Sequence, residues 1–298
     1  MSETITAAGT GFAGGGREWL LAMDTSTAHL TVALLDGPNP AAEWNALGER
    51  NHSVRLIPAI QELAASAGVK MRDLRAVAVG RGPGSYTGVR IGVTAGKTLA
   101  WSLGVPLIGV SSLEALALGA AREARGHQSP RNGAIRIVPL MDARRGQVYT
   151  ALFESGGSGG WRRLTGDGIR LMREWADELA ERAENGCGRE TAGLDATSPQ
   201  AASGAGTPAA IGPAGLPDLI RFVGDPSLHL ASIEQLKERL DGRARVEVRP
   251  TVMEGRFVAE LGIRRLAAGE ADDPHALVPN YTQLAEAEAK LLAGRQEG

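Results

Sequence analysis

The sequence holds a single cysteine, Cys187, in 298 residues. One thiol forms no internal disulfide, and no Cys/His grouping has the spacing of a zinc site. This suits a reducing, cytoplasmic setting. Cys187, in "NGCGRE" without a nearby His, is expected to be inert. Aromatic residues make up only 4% of the chain, too few for a base-stacking platform. Neither sign of charge dominates: 32 Lys and Arg stand against 34 Asp and Glu, which leaves no excess to draw a polyanion to the whole molecule. Arg144-Arg145 and Arg162-Arg163 are read as solvated pairs. No apolar run reaches the length of a membrane span. The opening "MSETITAAGTGFAGGGR" lacks the basic start and apolar core of a secretory signal and is read as a flexible tail over 1–17.

Patterning supplies the fold class. "EWLLAMDTSTAHLTVALLDG" reads as a hairpin whose strands are Trp19–Met23 and Leu30–Leu35, turning at Asp24-Thr25-Ser26-Thr27. "PAAEWNALG" adds a third strand. Leu56, Ile60, Leu63, Ala64 and Ala67 recur at helical spacing and Gly68 ends that helix; Pro58 belongs in its first turn or kinks it. "DLRAVAVG" and "VPLIGV" are buried strands around a helix of about 87–103. "SSLEALALGAAREAR" is a further helix capped by Ser111 or Ser112. "AIRIVPLMDARRGQVYTALFE" is a second hairpin. "DLIRFVGDP" is a strand, followed by the helices "LHLASIEQLKERL" and "GRFVAELGIRRLAAG" and a tail helix over 283–298. Strand meanders followed by strand–helix–strand units predict an α/β protein with mixed sheets. The Gly/Ala/Pro-rich residues 186–217 have few large apolar side chains and read as a flexible insertion.

The most distinctive stretch is "GRGPGSYTGVRIGVTAGKTLA". It fits neither a Walker loop nor the dinucleotide fingerprint. Gly82 and Gly84 allow positive φ and close backbone approach, Pro83 stiffens the turn, and N–H groups from Ser85 to Gly88 stand at a helix start. An anion or buried carboxylate would satisfy them; tight strand–helix packing is the other reading. Gly88, Gly92, Gly96 and Ala100 put four small residues on one helix face, as where a backbone packs at short range. The turn Asp24, Thr25, Ser26 offers a carboxylate and hydroxyls, suited to a hydrated metal and a phosphate or to a polar hairpin turn. The five histidines are scattered, and no hydrolase or metalloprotease motif is present.

Together, "LLAMDTSTAHLTVAL", "HSVRLIPAIQEL", the glycine stretch with "VPLIGVSSLEALA", "MDARRGQVYTALFE" and "PNYTQLAEAEAK" resemble the bacterial TsaB (YeaZ) family, most closely over residues 19–154. The resemblance implies an actin-like (sugar kinase/Hsp70/actin) fold of two lobes with RNase H-like sheets, here 18–125 and 126–282. It implies the non-catalytic, dimerisation and scaffold partner of a TsaD-like subunit in forming N6-threonylcarbamoyladenosine (t6A) at tRNA position 37. A TsaE-like ATPase and a threonylcarbamoyl-adenylate synthase complete that pathway, and tRNA is met only through the complex. In the catalytic sister family two His bind a metal after the corresponding strand. Ser112 and Leu116 occupy those positions here, so no metal and no catalytic residue is expected. Gly82, Gly84, Ser85 and Thr87, with Asp24, Thr25 and Ser26, then form a vestigial phosphate turn. "FVGDPS" makes a poor second loop, so no cofactor is expected beyond ATP at the complex interface. Gln283 stands where the family commonly has Arg.

Two helices, about 51–67 and 87–103, are the expected partner surface, through Leu56, Ile60, Leu63, Gly88, Val89, Gly92, Val93, Gly96 and Lys97. The same surface could pair two copies of the chain when alone. The other reading of these helices is that they only cover their sheet. The alternative function is an active ATPase or small-molecule kinase of the same fold, with Asp225 or Asp241 as its lobe-two carboxylate.

Overall fold

The computed structural model describes residues 18–48, 51–124, 134–156, 160–184 and 217–282, together with the backbone of Thr4–Ala7. The expected insertion at 186–217, apart from Pro217, lies outside the described residues, as do Cys187, Gln283 and the tail at 283–298. Within the stretch expected to be a flexible tail, Thr4–Ala7 forms an edge strand, β1.

The first lobe runs β2 (Trp19–Asp24), β3 (His29–Asp36), β4 (Asn39–Leu47), α1 (His52–Ser66), β5 (Leu74–Gly80), α2 (Tyr86–Leu103), β6 (Leu107–Val110) and α3 (Ser112–Ala124). The second runs β7 (Ile135–Asp142), β8 (Gln147–Ser155), β9 (Trp161–Leu171), α4 (Met172–Glu184), β10 (Leu219–Gly224), α5 (Leu230–Arg239), β11 (Arg245–Pro250) and α6 (Gly255–Ala267). Their sheets are ordered β1-β4-β3-β2-β5-β6 and β11-β10-β7-β8-β9. Leaving β1 aside, the second lobe repeats the first: an antiparallel three-strand meander, then two strands added in parallel through helical crossovers. Every residue of β2, β5 after Arg75 and β10 is buried, as central strands covered on both faces require, and the edge strand β6 is buried throughout as well.

Three apolar layers result. On the outer face of the first sheet, Leu56, Ile60 and Leu63 of α1 and Val89 and Val93 of α2 pack on Leu21, Met23, Val32 and Val77. On the outer face of the second, Trp175 and Leu179 of α4 and Ile233 and Leu236 of α5 cover Val138, Val148 and Phe222. Between the sheets lie α3 and α6, joining Ala22, Ala33 and Ala78 to Ile137, Phe153 and Val223. The division at 125/126 therefore separates chain segments rather than packing units. The last helix of each lobe lies across the other's sheet: α3 on β7, β8 and β10, and α6 on β2, β3 and β5. The small residues Ala22, Ala33 and Ala78 admit α6 at close range, and a Cβ on Gly262 would overlap Ala78. Pro58 falls in the second turn of α1 rather than its first.

Candidate functional site

The glycine stretch folds around a buried carboxylate. Asp24, at the end of β2, is fully buried beside Gly80 at the end of β5, where a side chain on Gly80 would overlap it. Its Oδ1 accepts from the Ser26 N–H at 2.7 Å and the Ser26 hydroxyl at 2.6 Å, and its Oδ2 from the Ser112 hydroxyl at 2.6 Å. Burial raises the Asp24 pKa above its ordinary value, opposed by the hydrogen bonds from Ser112 and Ser26 and by the charge of His52. Ser112 Oγ in turn accepts the Gly82 N–H at 3.0 Å.

Further donors at the start of α2 are also spent within the chain. Ser85 N–H donates to the Ser26 carbonyl at 2.7 Å, and Val89 N–H to the Ser85 carbonyl at 2.8 Å. Ser85 Oγ accepts the Gly88 N–H at 3.3 Å as the N-cap of α2. Thr25 Oγ1 donates to the Gly88 carbonyl at 2.6 Å. Gly82 is held at φ +92°, in the region that favours glycine. Thr87 is exposed in the first turn of α2. Of the two readings the residues left open, the loop geometry favours tight packing: the N–H bonds of Ser85 and Gly88 go to the Ser26 carbonyl and Ser85 Oγ, while the Asp24 carboxylate is held by Ser26 and Ser112.

Of the two residues expected to stand in place of metal ligands, Ser112 is bound to Asp24 and Gly82, and Leu116 is buried against Gly224. Among the described residues no group of three His, Cys, Asp or Glu side chains is placed to hold a metal. In the second lobe, Asp225 is exposed and accepts from its own Ser227 at 2.6 Å, while Asp241 is exposed just past α5. By the repeat, the counterpart of the Asp24 turn is Asp142–Gly146, not "FVGDPS", which matches the glycine stretch instead. That turn carries exposed Arg144 and Arg145 at φ 65° and 55°; only the duplicated topology reveals the correspondence.

The two-helix surface needs its residues corrected. Leu56, Ile60 and Leu63 are buried under their own sheet, as are Val89 (3% exposed) and Val93 (2%). The glycine stripe faces inward too: a Cβ on Gly88 would overlap the Thr25 carbonyl, one on Gly92 the Thr25 hydroxyl, and one on Gly96 would crowd Val79. Of these eight residues only Leu56 also borders the groove between α1 and α2; the other seven are turned onto their own sheet. Lys97 is half-buried and donates to the carbonyls of His275 (3.3 Å) and Leu277 (2.9 Å).

The outward face of the same helices is apolar. Val54 (71%), Ile57 (44%), Tyr86 (47%) and Trp101 (65%) are exposed, and half-buried Ile91, Ala95 and Leu99 lie between them along α2. A shallow groove of about 520 Å³ runs between α1 and α2, with Ser53, Ile57, Tyr86, Arg90, Ile91, Thr94, Ala95, Thr98 and Leu99 along its walls. The helical period singled out the apolar stripe beneath α1; the second, exposed stripe is shorter and interleaved with polar residues. Residues after α6 return to α2: Leu277 packs on Gly109, Asn280 N–H donates to the Arg81 carbonyl at 2.7 Å, and Tyr281 accepts from Arg90 Nε at 2.8 Å while packing against Tyr86. Asn280 Nδ2 also donates to Asp167 of β9 at 3.2 Å, tying the glycine loop to the second lobe.

Two mixed sheets in duplicated lobes, with the turn between them filled by the chain's own groups, define a two-lobed α/β protein of the actin-like type. Known proteins of this fold show close relatives. The chain is 36% identical over 281 residues to the "tRNA threonylcarbamoyladenosine biosynthesis protein TsaB" of Bacillus subtilis, spanning 93% of this chain and 99% of that protein. The chain belongs to the TsaB family. The Escherichia coli protein of the same name is 39% identical over 142 residues, 48% of this chain and 58% of its own length. A sequence profile described as TsaD, tRNA N6-adenosine threonylcarbamoyltransferase, matches residues 46–190. YeaZ from Pseudomonas aeruginosa superposes with a TM-score of 0.61 at 25% identity, covering 89% of this chain and 99% of YeaZ.

Proposed function

We propose that this chain is the non-catalytic scaffold subunit of the t6A-forming complex, holding a TsaD-like transferase subunit on the outward face of α1 and α2. Family membership supports the pathway, since the relatives are named for threonylcarbamoyladenosine biosynthesis. The observation that carries the scaffold role is the apolar stripe of Val54, Ile57, Tyr86, Ile91, Ala95 and Leu99 on two neighbouring helices. Monomers rarely leave such a continuous apolar surface to water. A pair of helices from a partner built on the same fold would complete a four-helix contact, and in its absence a second copy of the chain can use the same face. In this reading TsaE-like ATPase joins the complex, tRNA is met only through it, and the setting is cytoplasmic.

The filled turn supports the non-catalytic part. Gly82, Ser85 and Gly88 spend their N–H groups on the chain itself, and Asp24 is locked by Ser26 and Ser112. An ATPase would need those donors for phosphate, so any ATP is assigned to the interface with the partner. The binding test is titration of purified TsaD-like subunit with the wild-type chain and with Ile57→Glu/Ala95→Glu. Tight binding by the first, and loss of at least about a hundredfold in affinity by the folded double variant, supports the surface. Equal binding by both excludes it.

A further inference from the structure

The charges on α1 and α2 are one-sided. The two helices carry Arg55, Arg90 and Lys97 against Glu62, in a chain of formal net charge -2. Arg55 lies over the Trp44 ring, and Lys97 is spent on the carbonyls of His275 and Leu277. Arg90 is exposed, and among the described residues it is the one charged side chain on the walls of the groove. Its Nε donates to the Tyr281 hydroxyl at 2.8 Å. Its guanidinium carbon stands 4.0 Å from the centre of the Tyr86 ring and 5.5 Å from that of Tyr281, and the two rings are 5.5 Å apart. Two tyrosines from distant parts of the chain thus hold the guanidinium in place. Its Nη1 and Nη2 meet no acceptor among the described residues. The acids of the segment that returns to α2 are engaged elsewhere: Asp272 with Arg265 and the Gly109 N–H, Asp273 with the His275 N–H.

We propose that Arg90 is the charged anchor of the docking face: the partner subunit lays a helix in the groove that sets an Asp or Glu carboxylate on the free Nη pair, with apolar residues on either side. Tyr281 is the positioning residue that aims the guanidinium. The inference rests on the function proposed above and names what the partner must carry. A guanidinium offers two parallel donors to a carboxylate, and one that is already immobilised loses little freedom on binding. The rest of the groove wall is apolar or hydroxylic, so a docked helix shields the pair from water. An arginine and aromatic centre ringed by such contacts is where binding energy concentrates. Charge also favours a partner over a second copy. Two copies meeting through their grooves would desolvate two Arg90 side chains and bring no carboxylate from either wall.

The test is titration of purified TsaD-like subunit with the full chain as wild type, Arg90→Gln, Arg90→Lys and Tyr281→Phe, beside sedimentation of each chain alone. Arg90→Gln is expected to weaken binding at least about thirtyfold, because it leaves the partner's carboxylate unpaired. Arg90→Lys keeps the charge without the fork and is expected to fall between the two. Tyr281→Phe keeps the ring without the hydroxyl; it is expected to cost several-fold, and nothing further in the Arg90→Gln chain, where no guanidinium is left to aim. Self-association of the Arg90→Gln chain is expected to be unchanged or stronger. An Arg90→Gln chain that binds the partner as wild type does, or that loses self-association in step with partner binding, overturns the anchor. A Tyr281→Phe chain that binds as wild type does, or whose cost persists beside Arg90→Gln, overturns the positioning role. Unchanged binding by Arg90→Gln while Ile57→Glu/Ala95→Glu fails to bind removes the anchor and leaves the docking face standing; unchanged binding by both removes the face itself.

Discussion

Asp24 and Gly88 show how the glycine stretch is used. The Thr25 backbone and hydroxyl lie against α2 so closely that no Cβ fits at Gly88. Gly88→Ala is therefore expected to cost about 3 kcal/mol, the upper range for overpacking in a rigid site. Thermal or denaturant unfolding checks this, and a change below about 0.5 kcal/mol would mean the contact is loose. A second residue-scale expectation concerns Glu254, which precedes α6 and pairs with Arg256 at 2.5 Å near Glu43. Burial pushes its carboxyl up to about 7; Arg256 opposes this, while the charges of Glu43 and Glu123 add to it. The native state thus takes up a proton that the unfolded chain, with an ordinary glutamate near 4.5, releases. The resulting stability is complete below that value and is lost as pH rises through about 7. Wild type is expected to lose more melting temperature between pH 6 and 8 than Glu254→Gln, whose amide imitates the protonated carboxyl. Parallel pH profiles would contradict this.

At the scale of elements, α1 and α2 divide into faces that the substitution pattern can separate. Val89→Glu places a charge in the core under α2 and is expected to unfold the first lobe, whereas Ile57→Glu/Ala95→Glu leaves the melting temperature within a few degrees. Circular dichroism melts of both variants check the division; a folded Val89→Glu chain would show that α2 sits otherwise. Much of this level was legible in the residues. The meander of β2 to β4, the turn at Asp24 and helix α2 follow from apolar runs, glycines and a Ser85 cap. What escaped has physical reasons. β9 is an edge strand, "WRRLTGDGIRL", whose paired Arg and two Gly break the alternation that marks a strand; β11, "RVEVRP", alternates, but its two Val carry little apolar weight and Val248 is itself exposed. The sided use of α1 and α2 escaped because helical periodicity identifies an apolar stripe but not which neighbour covers it. The Ser112–Asp24–Gly82 connection escaped because its members come from three distant segments.

At the scale of the molecule, the exchange of α3 and α6 makes the two lobes interdependent. Without α6 the inner faces of Ala22, Ala33 and Ala78 would be bare, so residues 18–125 expressed alone are expected to be insoluble or molten, while the whole chain unfolds in a single transition. Two separate transitions in calorimetry would contradict that. Among the described residues no helix is long and apolar enough to cross a membrane. The large-scale picture is a two-lobed body whose glycine stretch packs on the Asp24 turn and whose outward helices, in the function proposed above, serve association. The most direct measurement is t6A synthesis on tRNA by purified TsaD-like subunit, TsaE-like ATPase and threonylcarbamoyl-adenylate synthase, with and without this chain. The expected result is efficient synthesis only with the wild-type chain present, none from this chain without the TsaD-like subunit, and a loss of synthesis with Ile57→Glu/Ala95→Glu. Synthesis that proceeds equally when the chain is omitted, or that this chain supports with no TsaD-like subunit, would contradict the scaffold role.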